Sequence, residues 1–296
     1  MHSVTLPAYA KVNLYLDVLG VRPDGYHNLL TLFERIDLFD EVTIERIPGS
    51  AIEVRCDHPE VPLDETNSGV RAAAAYRKRI GSSDGIRISI RKGIPVAGGL
   101  GGGSSDAAAT LHGLQELLGR VLPEVDLLDL AKGLGADVPF FWSQVPWALG
   151  SGRGDEIEPL PLQAAVWHLL VAPGFPIPTK AVYQAWAGFR NGGTERLTAP
   201  KPDVTLLIRA LREAQMSGIR ESLWNALEPT VEALYPAIRR VKAAMEAKAG
   251  VKCPIVSGSG STVFALCASR TQALEAVPVL TGADPNWRVF VVETRV

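Results

Sequence analysis

In the segment KGIPVAGGLGGGSSDAAATLHGLQELLG, which begins at Lys92, five glycines (Gly98, Gly99, Gly101, Gly102 and Gly103) occupy six positions and open directly onto Ser104, Ser105 and an alanine-rich run. Glycine frees the backbone to turn its amides toward one point, and the first turn of a helix adds unpaired N–H groups and the positive end of its dipole. A loop that runs into a helix in this way is a cradle for an anion. It lacks the Gly-Lys-Ser/Thr ending of a Walker loop, and it follows Pro95 where a dinucleotide turn would follow a bare strand. The plainer alternative is a flexible turn in which Ser104 or Ser105 only caps the helix.

Alternation sets the elements around this loop. Val12, Leu14, Leu16 and Val18 alternate with Asn13, Tyr15 and Asp17, the period of a half-buried strand, which puts Lys11 and Asn13 on one face. Residues 41–47, 52–56 and 86–90 alternate as well, and residues 67–79 read as a helix. The first half therefore predicts short strands with two helices. The second half opens on an apolar run over 166–172 and predicts helices over 179–187, 203–213 and 230–248, the last closed by Gly250, with strands over 254–257, 262–266 and 287–293. Turns, and not regular crossover helices, join the early strands, so the class is α+β. The Gly- and Pro-rich passage ALGSGRGDEIEPLPL after Trp147 marks a boundary, giving domains over 1–158 and 159–296.

A chain of 296 residues has room for two such domains, and 47% hydrophobic with 21% charged residues excludes a disordered or fibrous chain. The 30 Lys and Arg against 32 Asp and Glu leave a net charge of -2, which offers no cationic field for nucleic acid or an anionic membrane. Cys56, Cys253 and Cys267 are widely spaced with no C-x-x-C pair, which argues against a disulfide framework or zinc knuckle and fits a reducing cytoplasm. The N-terminal stretch has no signal-peptide pattern, and no apolar run approaches the roughly 20 residues of a membrane span.

Three further segments offer chemistry. VSGSGSTVFAL, from Val256, sets Gly258 and Gly260 between apolar strands, and taken alone reads as a hairpin. GLGADVPFFW, from Gly133, puts Asp137 before Pro139, as a helix N-cap or as a general base that takes a proton from an attacking hydroxyl. Lys11 is the natural partner, offsetting charge on the transferred group, where an isolated lysine would otherwise snorkel to the surface. RPDGYHNL, from Arg22, carries an Asp-Gly turn followed by Tyr26 and His27, which are either structural or a stacking and hydrogen-bonding pair for a flat base.

Taken in chain order, AKVNLYLDVLGVRPDGYHNL, IPVAGGLGGGSSDAAA, GADVPFF and SGSGSTVFAL resemble the GHMP small-molecule kinases over nearly the whole length, and DGYH resembles the branch that acts on a cytidyl substrate. The resemblance implies a two-domain fold, with an N-terminal domain like ribosomal protein S5 domain 2 and a ferredoxin-like C-terminal domain. It implies ATP-dependent phosphorylation of the 2-hydroxyl of 4-diphosphocytidyl-2-C-methylerythritol, a step of the non-mevalonate isoprenoid precursor pathway, with Mg2+ accompanying ATP. By position, Lys11 and Asp137 match the catalytic pair. Pro95, Val96, Ala97, Gly98, Gly99, Leu100, Gly101, Gly102, Gly103, Ser104 and Ser105 match the ATP phosphate loop. Asn13, Tyr26, His27, Thr179 and Tyr183 match substrate-binding positions. No carboxylate cluster stands out as a metal site, which leaves Ser104 or Ser105 to supply a hydroxyl. Monomer and homodimer both stay open.

The chain departs from the family pattern at Phe33 and Glu34, where Met-Gln is usual, at His112, where asparagine is frequent, and at GRGD from Gly152, where Gly-Ile-Gly-Glu is common. These departures bear on contacts to nucleotide and substrate. The rival readings are a GHMP kinase for homoserine, mevalonate or a sugar, which should lack DGYH and an aromatic like Tyr183, and a non-catalytic nucleotide-binding relative, which need not keep both Lys11 and Asp137.

Overall fold

The computed structural model describes residues 2–119, 122–191 and 201–296. Two long strands, β1 (Ser3–Val21) and β2 (His27–Ile47), form an antiparallel hairpin closed by the Asp-Gly turn, and they organise the first sheet. Next to β2 lies β4 (Gly85–Arg91), and parallel to β4 runs β3 (Ile52–Cys56), the two joined through helix α1 (Ser68–Ile80). Asn67 caps α1 by accepting from the amides of Gly69 and Val70, so a helix expected to start there begins one residue later. Helices α2 (Gly102–Leu117), α3 (Glu124–Leu134) and α4 (Val138–Ser143) follow, and then β5 (Trp147–Ser151) and β6 (Glu156–Pro159), with β5 paired to Thr31–Glu34 near the start of β2. The first half thus holds four helices among its described residues, not the expected two.

The second half runs through β7 (Trp167–Ala172), α5 (Thr179–Asn191), α6 (Val204–Arg212), α7 (Met216–Glu221), β8 (Trp224–Asn225), α8 (Glu228–Leu234), α9 (Ala237–Ala247), β9 (Ile255–Val256), β10 (Val263–Cys267), α10 (Arg270–Thr281) and β11 (Arg288–Glu293), and its β7, β9, β10 and β11 form a four-stranded antiparallel sheet. Its strand order, β11-β7-β10-β9, is that of a ferredoxin-like β-α-β-β-α-β unit. The short β8 leaves this half to pair in parallel with β1 of the first sheet. Two elements correct the expectation from sequence. The helix expected over 230–248 is two helices, because Pro236 excludes Tyr235 from helical geometry and starts α9 anew. Gly250 does not cap it: α9 ends at Ala247 with Lys248 as its C-cap, and Gly250 takes up a left-handed turn beyond. Helix α10 lay hidden because Pro278 sits inside it.

Three apolar clusters form the interior, and the middle one draws on β1 and β2 of the first sheet together with β7, β10, β11 and α6 of the second half. Within this shared interior lies a polar contact. Glu34 Oε1 on β2 accepts from His168 Nε2 on β7 at 2.8 Å and from the Thr294 hydroxyl at 2.6 Å, with Glu34 and His168 fully shielded from solvent. Neighbouring Phe33 stacks on Phe140 with ring centroids 4.7 Å apart. The pair that departs from the family pattern therefore has local partners of its own. Among the described residues no helix is long and apolar enough to cross a membrane.

Candidate active site

A cavity of about 1140 Å³ opens between the two halves. One wall is the glycine-rich loop. Gly101 occupies the N-cap of α2 in a left-handed conformation, and the first bond into the helix joins the Ser105 amide to the Gly101 carbonyl, leaving the amides at the head of α2 toward the cavity. A Cβ at Gly101 would lie 2.7 Å from the Phe141 ring, and one at Gly99 would lie 2.2 Å from the Ser257 carbonyl. Glycine is needed at these places because other chain passes through the space. The second contact also answers what VSGSGS does. It joins β9 to β10 as a hairpin, and it packs on the first loop, with Ser257 donating to the Gly99 carbonyl and the Thr262 amide to the Gly98 carbonyl.

Lys11 projects from β1 with its side chain almost fully buried, donating to Asn13 Oδ1 at 2.6 Å and to the Gly99 carbonyl at 2.9 Å. Asp137 Oδ2 stands 3.7 Å from its ammonium. Burial lowers the Lys11 pKa, and the charge of Asp137 works against that drop. Asp137 does hold the N-cap position of α4, but its side chain caps nothing; it faces Lys11 instead, and at 32% exposure it remains open to a ligand. The pairing of a buried cation with an accessible carboxylate beside a loop of free amides suits proton removal at an oxygen that attacks phosphorus.

At the other end of the cavity are Tyr26, about half exposed, and His27. His27 packs on Tyr183 with centroids 5.0 Å apart and edge-on to Trp186, and among the described residues its buried Nε2 has no hydrogen-bond partner. Burial lowers its pKa, which keeps the ring neutral and able to read a base. Thr179, at the start of α5, shares a hydrogen bond of 2.8 Å with Ser259 of the late glycine turn. Every candidate residue lines the cavity except Ser105. The Ser105 hydroxyl donates to the Tyr9 carbonyl at 2.7 Å, and its amide is the one bonded to Gly101, so neither faces the cavity. Asn13 lines it but engages both ends of its amide, accepting from Lys11 and donating to Thr31, so it orients the lysine.

Several lining residues escaped the sequence reading. Lys92 bridges Asp40 and Asp106 beneath Gly102, and Asp40 also accepts from the amides of Gly93 and Ile94, so the trio fixes the approach to the loop. Burial pushes the Asp106 carboxyl up to about 7, with Lys92 opposing the shift and Asp40 reinforcing it. A turn-rich strap that includes Val61, Pro62 and Asn67 forms another wall; its PLDETNS composition signals a loop but not its destination. Asn225 on β8 donates to the carbonyls of Val256 and Gly258 and so ties the late glycine turn to β8. His112 stacks on Trp142 with centroids 3.9 Å apart, away from the cavity lining.

Family models for the GHMP kinase N-terminal and C-terminal domains match residues 67–144 and 197–282. A 4-diphosphocytidyl-2-C-methyl-D-erythritol kinase from Geobacter sp. (strain M21) is 43% identical over 279 residues, covering 93% of this chain and 95% of the relative. The chain belongs to the GHMP kinase family. As a GHMP kinase it is an ATP-dependent small-molecule phosphotransferase, and the family's two-domain α+β fold is the one seen here. A solved 4-(cytidine 5'-diphospho)-2C-methyl-D-erythritol kinase superposes with a TM-score of 0.80 at 33% identity, covering 99% of this GHMP kinase and all of that chain. Homoserine kinase from Cytophaga hutchinsonii superposes with a TM-score of 0.71 at 21% identity, covering 100% of this chain and 95% of that one, which reports the shared fold alone.

Proposed function

We propose that this kinase transfers the γ-phosphoryl group of ATP to the 2-hydroxyl of 4-diphosphocytidyl-2-C-methyl-D-erythritol, a step of the non-mevalonate isoprenoid precursor pathway, in the cytoplasm. The observation that carries the reading is a single cavity with Lys11, Asp137 and the head of α2 at one end and an aromatic and histidine cluster with an unpartnered ring nitrogen at the other. The relatives named for this substrate, aligned over nearly the full chain, support it. The domains take residues 1–158 and 159–296, a division supported by β6 reaching Pro159 in the first sheet and β7 opening the second at Trp167, with the short β8 crossing back to the first.

In this reading Asp137 accepts the proton of the attacking hydroxyl, and Lys11 offsets charge that develops on the oxygens around phosphorus. The amides of Gly102, Gly103 and Ser104 hold the phosphates, and the strap around Pro62 and Asn67 takes the nucleoside of ATP. The transfer is direct: the bond from the substrate oxygen to Pγ forms as the bond to the β,γ-bridging oxygen breaks, and ADP leaves. Magnesium fits as an ion carried mainly by phosphates, because Ser104 lines the cavity and its hydroxyl lies toward Gly135 and the Asp137 segment. Bound there it would neutralise phosphate charge. Of the two loop serines, Ser104 is the one placed to touch it.

The test is ADP release with ATP, magnesium and the cytidyl substrate beside homoserine, mevalonate and a sugar panel. Release confined to the cytidyl substrate is expected; release with another acceptor would overturn the substrate assignment. His27→Ala should raise the KM for the cytidyl substrate about tenfold with little change in kcat, since the contact lies far from the transferred group. Because burial lowers the His27 pKa, any rise of that KM on acidification should set in at a lower pH than for an ordinary imidazole. An unchanged KM in the variant would remove His27 from recognition.

A further inference from the structure

Arg153 stands in the GRGD turn where the family commonly has an apolar residue, and it is not idle there. Its guanidinium carbon lies 5.2 Å from the centroid of the Tyr26 ring, within cation–π range. Asp155 fixes the head from behind, accepting from Nε at 3.1 Å and from Nη2 at 2.6 Å, while Nη2 also donates to the Lys132 carbonyl at 3.2 Å. Among the described residues, Nη1 has no hydrogen-bond partner. The side chain lines the cavity and is 27% exposed.

The place of this cation decides its use. On one side it touches Tyr26, at the aromatic end. On the other it is tied to Lys132, in the last turn of α3, the helix that runs into the Asp137 segment. It therefore stands on the cavity wall beside the base platform, where the interval toward the carboxylate begins. A substrate whose base rests at Tyr26 and His27 and whose hydroxyl meets Asp137 must lay its linking diphosphate across that interval. Of the other cations that line the cavity, Lys11 faces Asp137, Lys92 is held between two carboxylates, and Lys180 is an exposed amine without the planar fork of a guanidinium. A planar guanidinium with one edge secured and another free is well suited to a phosphate oxygen.

We propose that Arg153 is a specificity-determining residue that donates from Nη1 to the diphosphate linking the cytidyl group to the polyol. The proposal rests on the substrate reading above and names the contact that separates a nucleoside diphosphate from a bare nucleoside. It is tested by the affinities of CDP and cytidine, measured as competitive inhibitors and by calorimetry, for the wild-type enzyme, Arg153→Met and Arg153→Lys. Arg153→Met keeps the apolar stem and should weaken CDP roughly tenfold, the loss of one charge-assisted hydrogen bond, while cytidine changes less than about twofold. Arg153→Lys, which keeps the charge but not the fork, should fall between. The KM for ATP should not move. Equal weakening of CDP and cytidine would overturn the proposal, because Arg153 would then only order Tyr26. Unchanged CDP affinity in Arg153→Met, with wild-type CDP binding intact, would overturn it alone. A wild-type enzyme that binds neither ligand would sink the substrate reading and this contact together.

Discussion

Asp137→Asn should lower kcat by about 10²–10⁴-fold, the usual contribution of a positioned general base, and leave the affinity for a non-hydrolysable ATP analogue within about threefold of wild type. The amide has the shape of the carboxylate, so the fold around the N-cap of α4 is kept. Nothing there depends on a side-chain cap, because Asp137 makes none. What is lost is the proton acceptor and the charge 3.7 Å from Lys11. The loss has a signature in pH. Burial already lowers the Lys11 pKa and Asp137 opposes it, so without the aspartate Lys11 deprotonates at a lower pH. The alkaline limb of the residual activity should therefore move to lower pH. Turnover within tenfold of wild type would take Asp137 out of the reaction.

Glu34→Ala should destabilise the folded protein by about 3–5 kcal/mol, as expected when one partner of a buried polar pair is removed and the other is left without compensation. For a chain of this size that corresponds to a fall in melting temperature on the order of 10 °C. The side chain reaches from the first sheet to His168 and Thr294 of the second half, and its removal strands both while opening a void. Replacing both ends, Glu34→Leu with His168→Leu, should cost less than the two single changes added together, because neither half of the pair is then left facing an apolar side chain and Thr294 still accepts from the Val166 amide. A melting temperature for Glu34→Ala within about 2 °C of wild type would contradict this account. Catalytic groups are not touched by the change, so kcat measured well below the transition should hold.

The candidate site was legible where its chemistry is written in consecutive residues. The glycine loop, the late glycine turn and the Asp137 turn each carry a local pattern with a physical reason. The alternation around Lys11 placed it and Asn13 on one face, where the structure has them bonded. Sequence could not show that the two glycine loops pack on each other, which is why Gly99 has no room for a Cβ. Lys92 gave no signal, because Asp40 is 52 positions away in the chain and meets it only through the pairing of β2 with β4. The same holds for Asn225 and for Glu34 with His168. Ser104 and Ser105 are equal as sequence; one helical step of rotation turns the first to the cavity and the second to the Tyr9 carbonyl. Prolines misled in both directions, splitting an expected helix at Pro236 and hiding a real one around Pro278.

Phosphorus NMR of the wild-type reaction with ATP, magnesium and 4-diphosphocytidyl-2-C-methyl-D-erythritol tests transfer to the 2-hydroxyl. One new phosphomonoester signal is expected, coupled to the carbon that bore the 2-hydroxyl, growing in step with ADP while the substrate's own diphosphate signals persist. A phosphoryl group on another hydroxyl, or ADP formed with inorganic phosphate and no new ester, would contradict it.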